Sequence, residues 1–515
     1  MVAIKRYEIP AVYAAFGAAV SFYLYPFMEK KTWVITGSLF FFIFFISLFI
    51  VLSLSPFVFF DKSRNENEAL RQKKLFSKVL ALLIAASSGF VLGLSARASF
   101  PSVPALGLEA ERIISISGIL KEDPRLFNDG RGMGAVALKS ASRKTSTGLN
   151  DITVSAYGNI SVFFPPDAID RIREFGRGCE IYAEGKIVNS RDGSPLFRSS
   201  AVFITKSAPF MERIRNSARS KLLEKFGAGA DGPKWGGLAS ALLLGVRDNM
   251  DNDLAAAFRD AGCSHVLALS GMHLALLSGL LAFFLRRIFG FRPAVIAGGL
   301  FIIFYVYLAG GQPSLVRAAV MYLLGAVCIL GFLKRDTFNL LCLAFLLQMV
   351  FQTESALSVS FILSYLALAG ILTFGEAILS LFRGRIPEII GSGLAASLGA
   401  FIATVPVVAV YFGTLRPAGI AAGLVIVPAA SLFMIIALAA MILLFPLPVL
   451  FPVFDFILTF LYRVIEFLVS FAGKAPGLKA APVTSLIICL ILAALILFIK
   501  NADEKHRGKI AAFNN

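Results

Sequence analysis

What most limits the fold of this chain is a series of apolar runs, each about as long as a membrane is thick. A bilayer core of ~30 Å is crossed by about 20 helical residues. Runs of that kind fall near residues 11–27, 32–55 and 78–96, and again near 264–285, 292–309, 314–332, 338–352, 357–378, 391–413, 418–445, 454–472 and 483–499. Helices satisfy their own backbone polar groups in lipid, so the expected fold is a polytopic α-helical membrane protein with about 12 transmembrane helices. With 57% hydrophobic and 16% charged residues, the chain is too apolar for a soluble protein of 515 residues. The run "FPLPVLFP" at 445–452 points to a kink or a re-entrant segment. The N-terminal stretch has the flavour of a signal peptide, but no small-x-small cleavage site follows it, so it reads as a retained first helix.

The formal charge of +17 has two readings, positive cytoplasmic loops or a polyanionic partner. Its placement favours the first. Loop 61–77, "DKSRNENEALRQKK" at its centre, is basic. So are the alternate loops carrying Arg286–Arg287, Lys334–Arg335, Arg383 with Arg385, and Lys500 with the tail. Three spans before the polar insert and nine after it put both termini in the cytoplasm and the insert outside, in a multi-pass membrane protein.

The insert runs from about Glu109 to Lys206. "RIISISGIL", "MGAVALKSASR", "DITVSAYGNISVFF", "CEIYAEGKIV" and "PLFRSSAVFIT" alternate apolar and polar residues between turn signals such as "NDGRGMG" and "RDGSP". About five strands in ~100 residues predict a small β-barrel, OB-like, with a β-sandwich fragment as the alternative. After it, Phe210, Ile214, Ala218 and Leu222 recur at helical spacing beside a basic face, which predicts a helix lying on a membrane surface or on a neighbouring domain. The expected domains are N-terminal membrane helices (1–100), the extracytoplasmic barrel (101–207), an amphipathic helix and linker (208–232), a second membrane domain (233–500) and a cytoplasmic tail (501–515). Five scattered cysteines form no CxxC pair, so no metal framework is expected.

Several stretches of the second membrane domain are not what lipid asks for. "SALLLGVRDNMDNDLAAAFRDAGCSHVLALSGMHLALLSGLL" (240–281) places Arg247, Asp260, His265, Ser270, Gly271 and His273 at a membrane edge. On one continuous helix His265 and His273, eight residues apart, share a face with Ser270 near it. In "LAGGQPSLVRAAVMYLLG" (308–325), Gly310, Gly311 and Pro313 break the helix ahead of Ser314. Arg317 then lies a turn inside an apolar run, and an intramembrane arginine is by default a functional-site candidate. "SVSFILSYLALAG" (358–370) carries Ser358, Ser360 and Ser364 near one stripe, and Pro406 lies inside a later span.

In order and spacing these stretches resemble the ComEC family of competence proteins. The pattern is carried by Leu244, Gly245, Arg247, Phe258, Gly262, His265, Ser270, Gly271 and His273, then Gly310, Pro313, Ser314, Arg317, Ala318 and Met321, then Phe361, Leu363, Ser364 and Ala367. The resemblance implies an inner-membrane channel that internalises single-stranded transforming DNA, with membrane helices and an OB-like domain ahead of the competence block. Many members also have a metallo-β-lactamase-like domain thought to degrade the strand left outside; its HxHxDH motif is absent from this sequence, so the resemblance is to the form without it. The family's "ANLLxxP" also departs here, with Gly423 in place of its Asn. Implied partners are single-stranded DNA and the lipid membrane, and around them a DNA receptor, a separate nuclease and a cytoplasmic DNA translocase.

The pair in "HVLALSGMH" has competing readings. A serine beside a histidine with Asp260 near invites a nucleophile–base reading, a membrane-embedded hydrolase using His265, Ser270 and His273, but no nucleophile elbow or oxyanion donor accompanies it. Two histidines without a third ligand make no metal site. The reading adopted is that both imidazoles satisfy broken backbone or pair with Asp260 or Arg317 at the mouth of a polar path. No catalytic residue, metal or cofactor is expected. On the barrel, Arg143, Lys144, Tyr157, Phe163 and Phe164 are the candidates for holding a single strand by charge and stacking. A transporter of some other anion and a scaffold for uptake proteins are the remaining alternatives.

Overall fold

The computed structural model describes residues 10–24, 85–95 except 87, and 112–489 apart from 128–129, 145–150, 190–194, 227–231, 334, 444–446 and 480, with 491, 492 and 494 beyond. The expected span at 32–55, loop 61–77, most of the span at 78–96, the end of the last span and the tail 501–515 lie outside the described residues.

The insert is a closed barrel. Strands β1 (Ile113–Leu120), β3 (Gly132–Lys144), β5 (Asn159–Phe164), β6 (Glu180–Asn189) and β7 (Pro195–Lys206) pair in the cycle β1-β6-β7-β5-β3-β1. All contacts are antiparallel except β5 with β7. Two short strands, β2 (Arg125–Leu126) and β4 (Asp151–Ser155), extend β3. Side chains alternate in and out, and Ile113, Ile116, Leu120, Val136, Val162, Phe164, Ile181 and Phe197 fill the interior. Closure needs strong bends, and glycines supply them. The register shifts beside Gly118 and Gly185, where a Cβ would run into the carbonyls of Ala137 and Arg198 on the neighbouring strands. Helix α2 (Pro166–Phe175), after α1 (Pro10–Leu24), opens on Pro166 at a position that needs no N–H and buries Ala168, Ile169 and Ile172 in the barrel core. Cys179 is another core residue, its thiol pushed up to about 11 by burial.

Then come α3 (Phe210–Lys225), α4 (Lys234–Leu244), α5 (Asn252–Asp260) and the single turn α6 (Ser264–Leu267). The membrane helices follow: α7 (Gly271–Phe289), α8 (Phe291–Ala309), α9 (Pro313–Leu330), α10 (Thr337–Phe351), the turn α11 (Thr353–Ala356), α12 (Val359–Phe382), α13 (Glu388–Phe412), α14 (Ala418–Leu443) and α15 (Phe451–Gly473). Seven of these, all but α10 and α11, are long and apolar enough to cross a membrane. With the barrel they make a polytopic helical membrane protein carrying a small β-barrel insert. Their ends are set locally: Asp336 caps α10 through the N–H groups of Phe338 and Asn339, and Ser358 caps α12.

The helices sort into two groups. One core joins α4, α5, α8, α14 and α15, with α7 and α9 against it. The other joins α1, α10, α11 and α12, continued by an α12–α13 cluster of Phe374, Ile378, Leu379, Phe382, Ala395, Leu398 and Ile402. Helix α9 bridges them, touching α7, α8, α10 and α12. Residues 235–244 of α4 are buried on every side, which explains why that run lacks amphipathic spacing.

Helix α3 departs from the apolar-stripe expectation. Phe210 and Ile214 are exposed, Ala218 and Leu222 only half-buried, and the residues most deeply buried are Arg215 and Asn216. The reason is a polar dock described next.

Candidate functional site

The barrel sits against the membrane helices through charged contacts. Asp123, in the loop after β1, accepts from Arg215 Nη2 at 2.6 Å and from Arg219 Nη1 at 2.7 Å. Arg215 has no exposed side-chain surface and also donates from Nε to the Tyr307 carbonyl at the end of α8, 2.8 Å away. Burial alone would raise the Asp123 carboxyl, but the hydrogen bond from Arg215 and the charges of Arg219 and Arg215 hold it below the usual carboxylate range. Arg177 pairs with Glu212 at 2.6 Å, and Lys121 and Asn159 both reach Glu354 on α11, Lys121 at 2.7 Å.

Below this junction lies a cavity of about 2560 Å³, walled by the 121–127 loop, α3, residues 245–249 and 259–270, the α8–α9 turn, α12, α13 and the start of α14. It reaches Ile371 on α12, thirteen residues below Ser358, or ~20 Å at 1.5 Å per residue. There α12 and α13 close: a Cβ on Gly370 would strike the Gly399 carbonyl and come within 2.6 Å of the Ala403 Cβ. The apolar α12–α13 cluster continues inward from that crossing.

The wall is cationic. Nine Lys and Arg residues line it against five Asp and Glu. Asp123, Asp260 and Glu354 already have cations within 2.8 Å. Among the described residues Arg125, Arg247, Arg259 and Arg317 have no acidic partner. Burial lowers the Arg247 guanidinium below its ordinary value and the Arg125 charge adds to this, which marks two neighbouring uncompensated cations.

Most sequence candidates of the membrane domain line this cavity: Arg247, Asp260, His265, Ser270, Gly310, Pro313, Ser314, Arg317 and Ser364. Their roles separate. The histidines do not share a helix, because the chain breaks between α6 and α7 and Ala268 and Ser270 are extended. His273 is fully buried, and its Nδ1 accepts the Ser270 N–H at 3.1 Å while the Ser270 hydroxyl accepts the His273 N–H. This is a capping box with histidine where Glu or Gln is usual, so "LSGMH" is the start of a helix. The serine and the imidazole are both held by backbone, an arrangement unlike a nucleophile and its base. His265 faces the cavity, its pKa lowered by burial against an opposing bond to the Gly262 backbone. Asp260 pairs with Arg416 at 2.8 Å rather than with a histidine or Arg317. Ser314 donates to the Leu269 carbonyl at 2.6 Å, satisfying the break before α7.

Gly310 and Gly311 adopt φ of 104° and 69°, conformations that disfavour other residues, and end α8. Pro313 then opens α9 and brings Arg317 beside the N-terminus of α7, where a Gly271 Cβ would lie 3.3 Å from Arg317 Nη2. Arg317 donates to the Ser364 carbonyl, lies 5.8 Å from the Tyr365 ring centre, and leaves Nε without a partner. A guanidinium next to a helix N-terminus concentrates positive potential on one wall.

The barrel candidates divide as well. Phe164 has no exposed surface: β5 alternates, and its side chain fills the interior. Arg143 and Lys144 end β3, ten and eleven residues from Met133 at the cavity end, and Tyr157 is 66% exposed on the β4–β5 turn; none of the three lines the cavity. Phe163 faces outward and stacks on Phe127, which does line it. The sequence reading missed Phe127, Arg125 and Arg215; Asp123 and Arg125 lie in the short polar run "KEDPRLFNDG", which shows no periodicity.

Residues 242–502 match the family described as competence protein. A protein of Aquifex aeolicus (strain VF5), described as uncharacterized, is 26% identical over 61% of this chain and 73% of its own length. The ComE operon protein 3 of Bacillus subtilis (strain 168) is 25% identical over 50% of this chain, a stretch that spans 34% of that protein.

Proposed function

The chain belongs to the competence protein family, and we propose that it is the inner-membrane channel through which single-stranded transforming DNA is internalised. The barrel faces the outside and the loops with Arg286–Arg287, Arg335 and Arg383 with Arg385 face the cytoplasm, as positive-inside bias requires. The observation that carries the reading is the cavity, with its size and charge taken together. Pockets for small ligands occupy roughly 300–1,000 Å³. A space of about 2560 Å³ with an excess of cations suits a polymeric anion better than a small one. Arginines without acidic partners replace the counterions of passing phosphates, and charge-assisted hydrogen bonds hold each phosphate while permitting exchange. No bond in the DNA is made or broken in this scheme. The closed α12–α13 crossing corresponds to a resting state that separates before a strand passes.

Arg317→Ala tests the reading. A protein that accumulates normally, captures DNA at the cell surface and fails to internalise it supports the channel. Arg317→Lys keeps partial uptake, because the charge survives without the planar fork. Normal transformation by Arg317→Ala at normal abundance removes Arg317 from the path.

A further inference from the structure

On the rim of the cavity the β2–β3 hairpin, residues 125–127 against 131–133, holds a preformed stack with one open end. Phe127 and Phe163 are stacked with ring centres 5.4 Å apart and planes within 16° of parallel. On Phe163 lies Arg131, its guanidinium carbon 5.0 Å from the ring centre. Phe127, at the other end of the row, is 41% exposed and lines the cavity. The hairpin fixes it there: the Phe127 N–H donates to the Arg131 carbonyl at 2.8 Å, and β2 pairs with β3 through Arg125–Met133 and Leu126–Gly132. Phe127 thus presents apolar ring surface to a cavity whose wall is otherwise rich in cations.

The surroundings indicate the ligand. Arg125 lies two residues before Phe127, so both side chains leave the same face of the hairpin, roughly 7 Å apart along the strand. Arg125 and the adjacent Arg247 both line the cavity, and neither has an acidic partner among the described residues. A flat aromatic face beside two unpaired guanidinium groups matches one nucleotide unit of a single strand, an exposed base next to a phosphate. A duplex does not fit, since its bases are already stacked on one another.

We propose that the free face of Phe127 is a docking platform for one unstacked nucleobase, with Arg125 and Arg247 taking its phosphate, and that this contact selects single strands at the cavity entrance. The inference rests on the channel reading and adds a site to it.

Full-length protein in detergent or nanodiscs is titrated with a fluorescent oligothymidylate, with the same backbone made abasic, and with duplex of equal length. Wild type is expected to bind oligothymidylate more tightly than the abasic strand or the duplex. Phe127→Ala should weaken oligothymidylate binding by about tenfold, near the low end of one base–aromatic stack. It should leave abasic binding and the salt dependence unchanged, because the phosphate contacts remain. Phe127→Trp should restore binding, and Arg125→Gln should flatten the salt dependence instead. If wild type binds oligothymidylate and Phe127→Ala binds it equally well, the platform is refuted while the channel stands. If wild type binds no DNA at all, the channel reading fails first.

Discussion

Arg215 fixes how the barrel meets the membrane helices, and replacing it by methionine keeps the length of the side chain while deleting the charge. Three groups lose a donor: the Asp123 carboxylate at 2.6 Å, the Tyr307 carbonyl at 2.8 Å and the Asn216 side chain at 3.0 Å. Breaking a buried pair from one side typically costs ~3–5 kcal/mol. The Asp123 side chain keeps 27% exposure and retains Arg219, so the lower figure, about 3 kcal/mol, applies. Asp123→Asn takes the carboxylate away from the fully buried guanidinium, which keeps the Tyr307 carbonyl, Asn216 and Glu212 at 3.7 Å. The double variant removes both charges, so its effect should fall short of the sum of the singles by at least ~1.5 kcal/mol. Hydrogen exchange of the 121–127 segment in the purified protein reads this opening free energy directly. A coupling below ~0.5 kcal/mol, the range of independent sites, would refute the idea that this ion cluster holds the barrel in place. The pH dependence carries the same sign. The folded Asp123 carboxyl lies below its usual value, so its contribution is complete above the ordinary carboxylate range and disappears as pH falls through that lowered value. Protection should therefore be flat from pH 7 to 5 and fall only in stronger acid, and Asp123→Asn should abolish that fall.

Two more outcomes follow from the packing. His273→Gln preserves an acceptor for the Ser270 N–H and should keep abundance and uptake near wild type, whereas His273→Ala should destabilise by about 1 kcal/mol as a lost cap does; loss of uptake by the glutamine variant at normal abundance would make His273 more than a cap. Gly370→Ala puts a methyl against the Gly399 carbonyl, so it should lower thermal stability by ~1–3 kcal/mol, and a neutral result would mean that α12 and α13 are not tightly crossed there.

Much of this architecture is legible in the sequence because it is periodic or punctuated. Apolar length marks the spans, alternation marks the barrel strands, and Gly310–Gly311 with Pro313 marks the helix break. The start of α7 is legible too, in the serine and the position three residues later. What the sequence conceals depends on partners far along the chain. Arg215 reads as one of several cations on a basic helix, and only Asp123, 92 positions away, turns it into a buried anchor. The two histidines look like one helical face because nothing in "ALS" announces the break; the Ser314 hydroxyl, from another helix, satisfies the carbonyl that the break leaves free. Phe163 and Phe164 are adjacent and alike, and only the register of β5 tells the outer ring from the inner one. Phe127 lies in a run without periodicity, and its stack appears only when β5 folds beside the hairpin.

The central claim, that DNA travels through the cavity between the barrel and α12–α13, is tested most directly by closing it. Ser364 lines the cavity beside Arg317 and none of the native cysteines does, so Ser364→Cys adds a thiol that a bulky reagent can reach from the cavity. Unmodified Ser364→Cys should take up labelled single-stranded DNA like wild type, modification should stop uptake while surface capture continues, and DNA engaged in transport should protect the thiol from the reagent. Complete modification with uptake unchanged would place the path elsewhere and contradict the account.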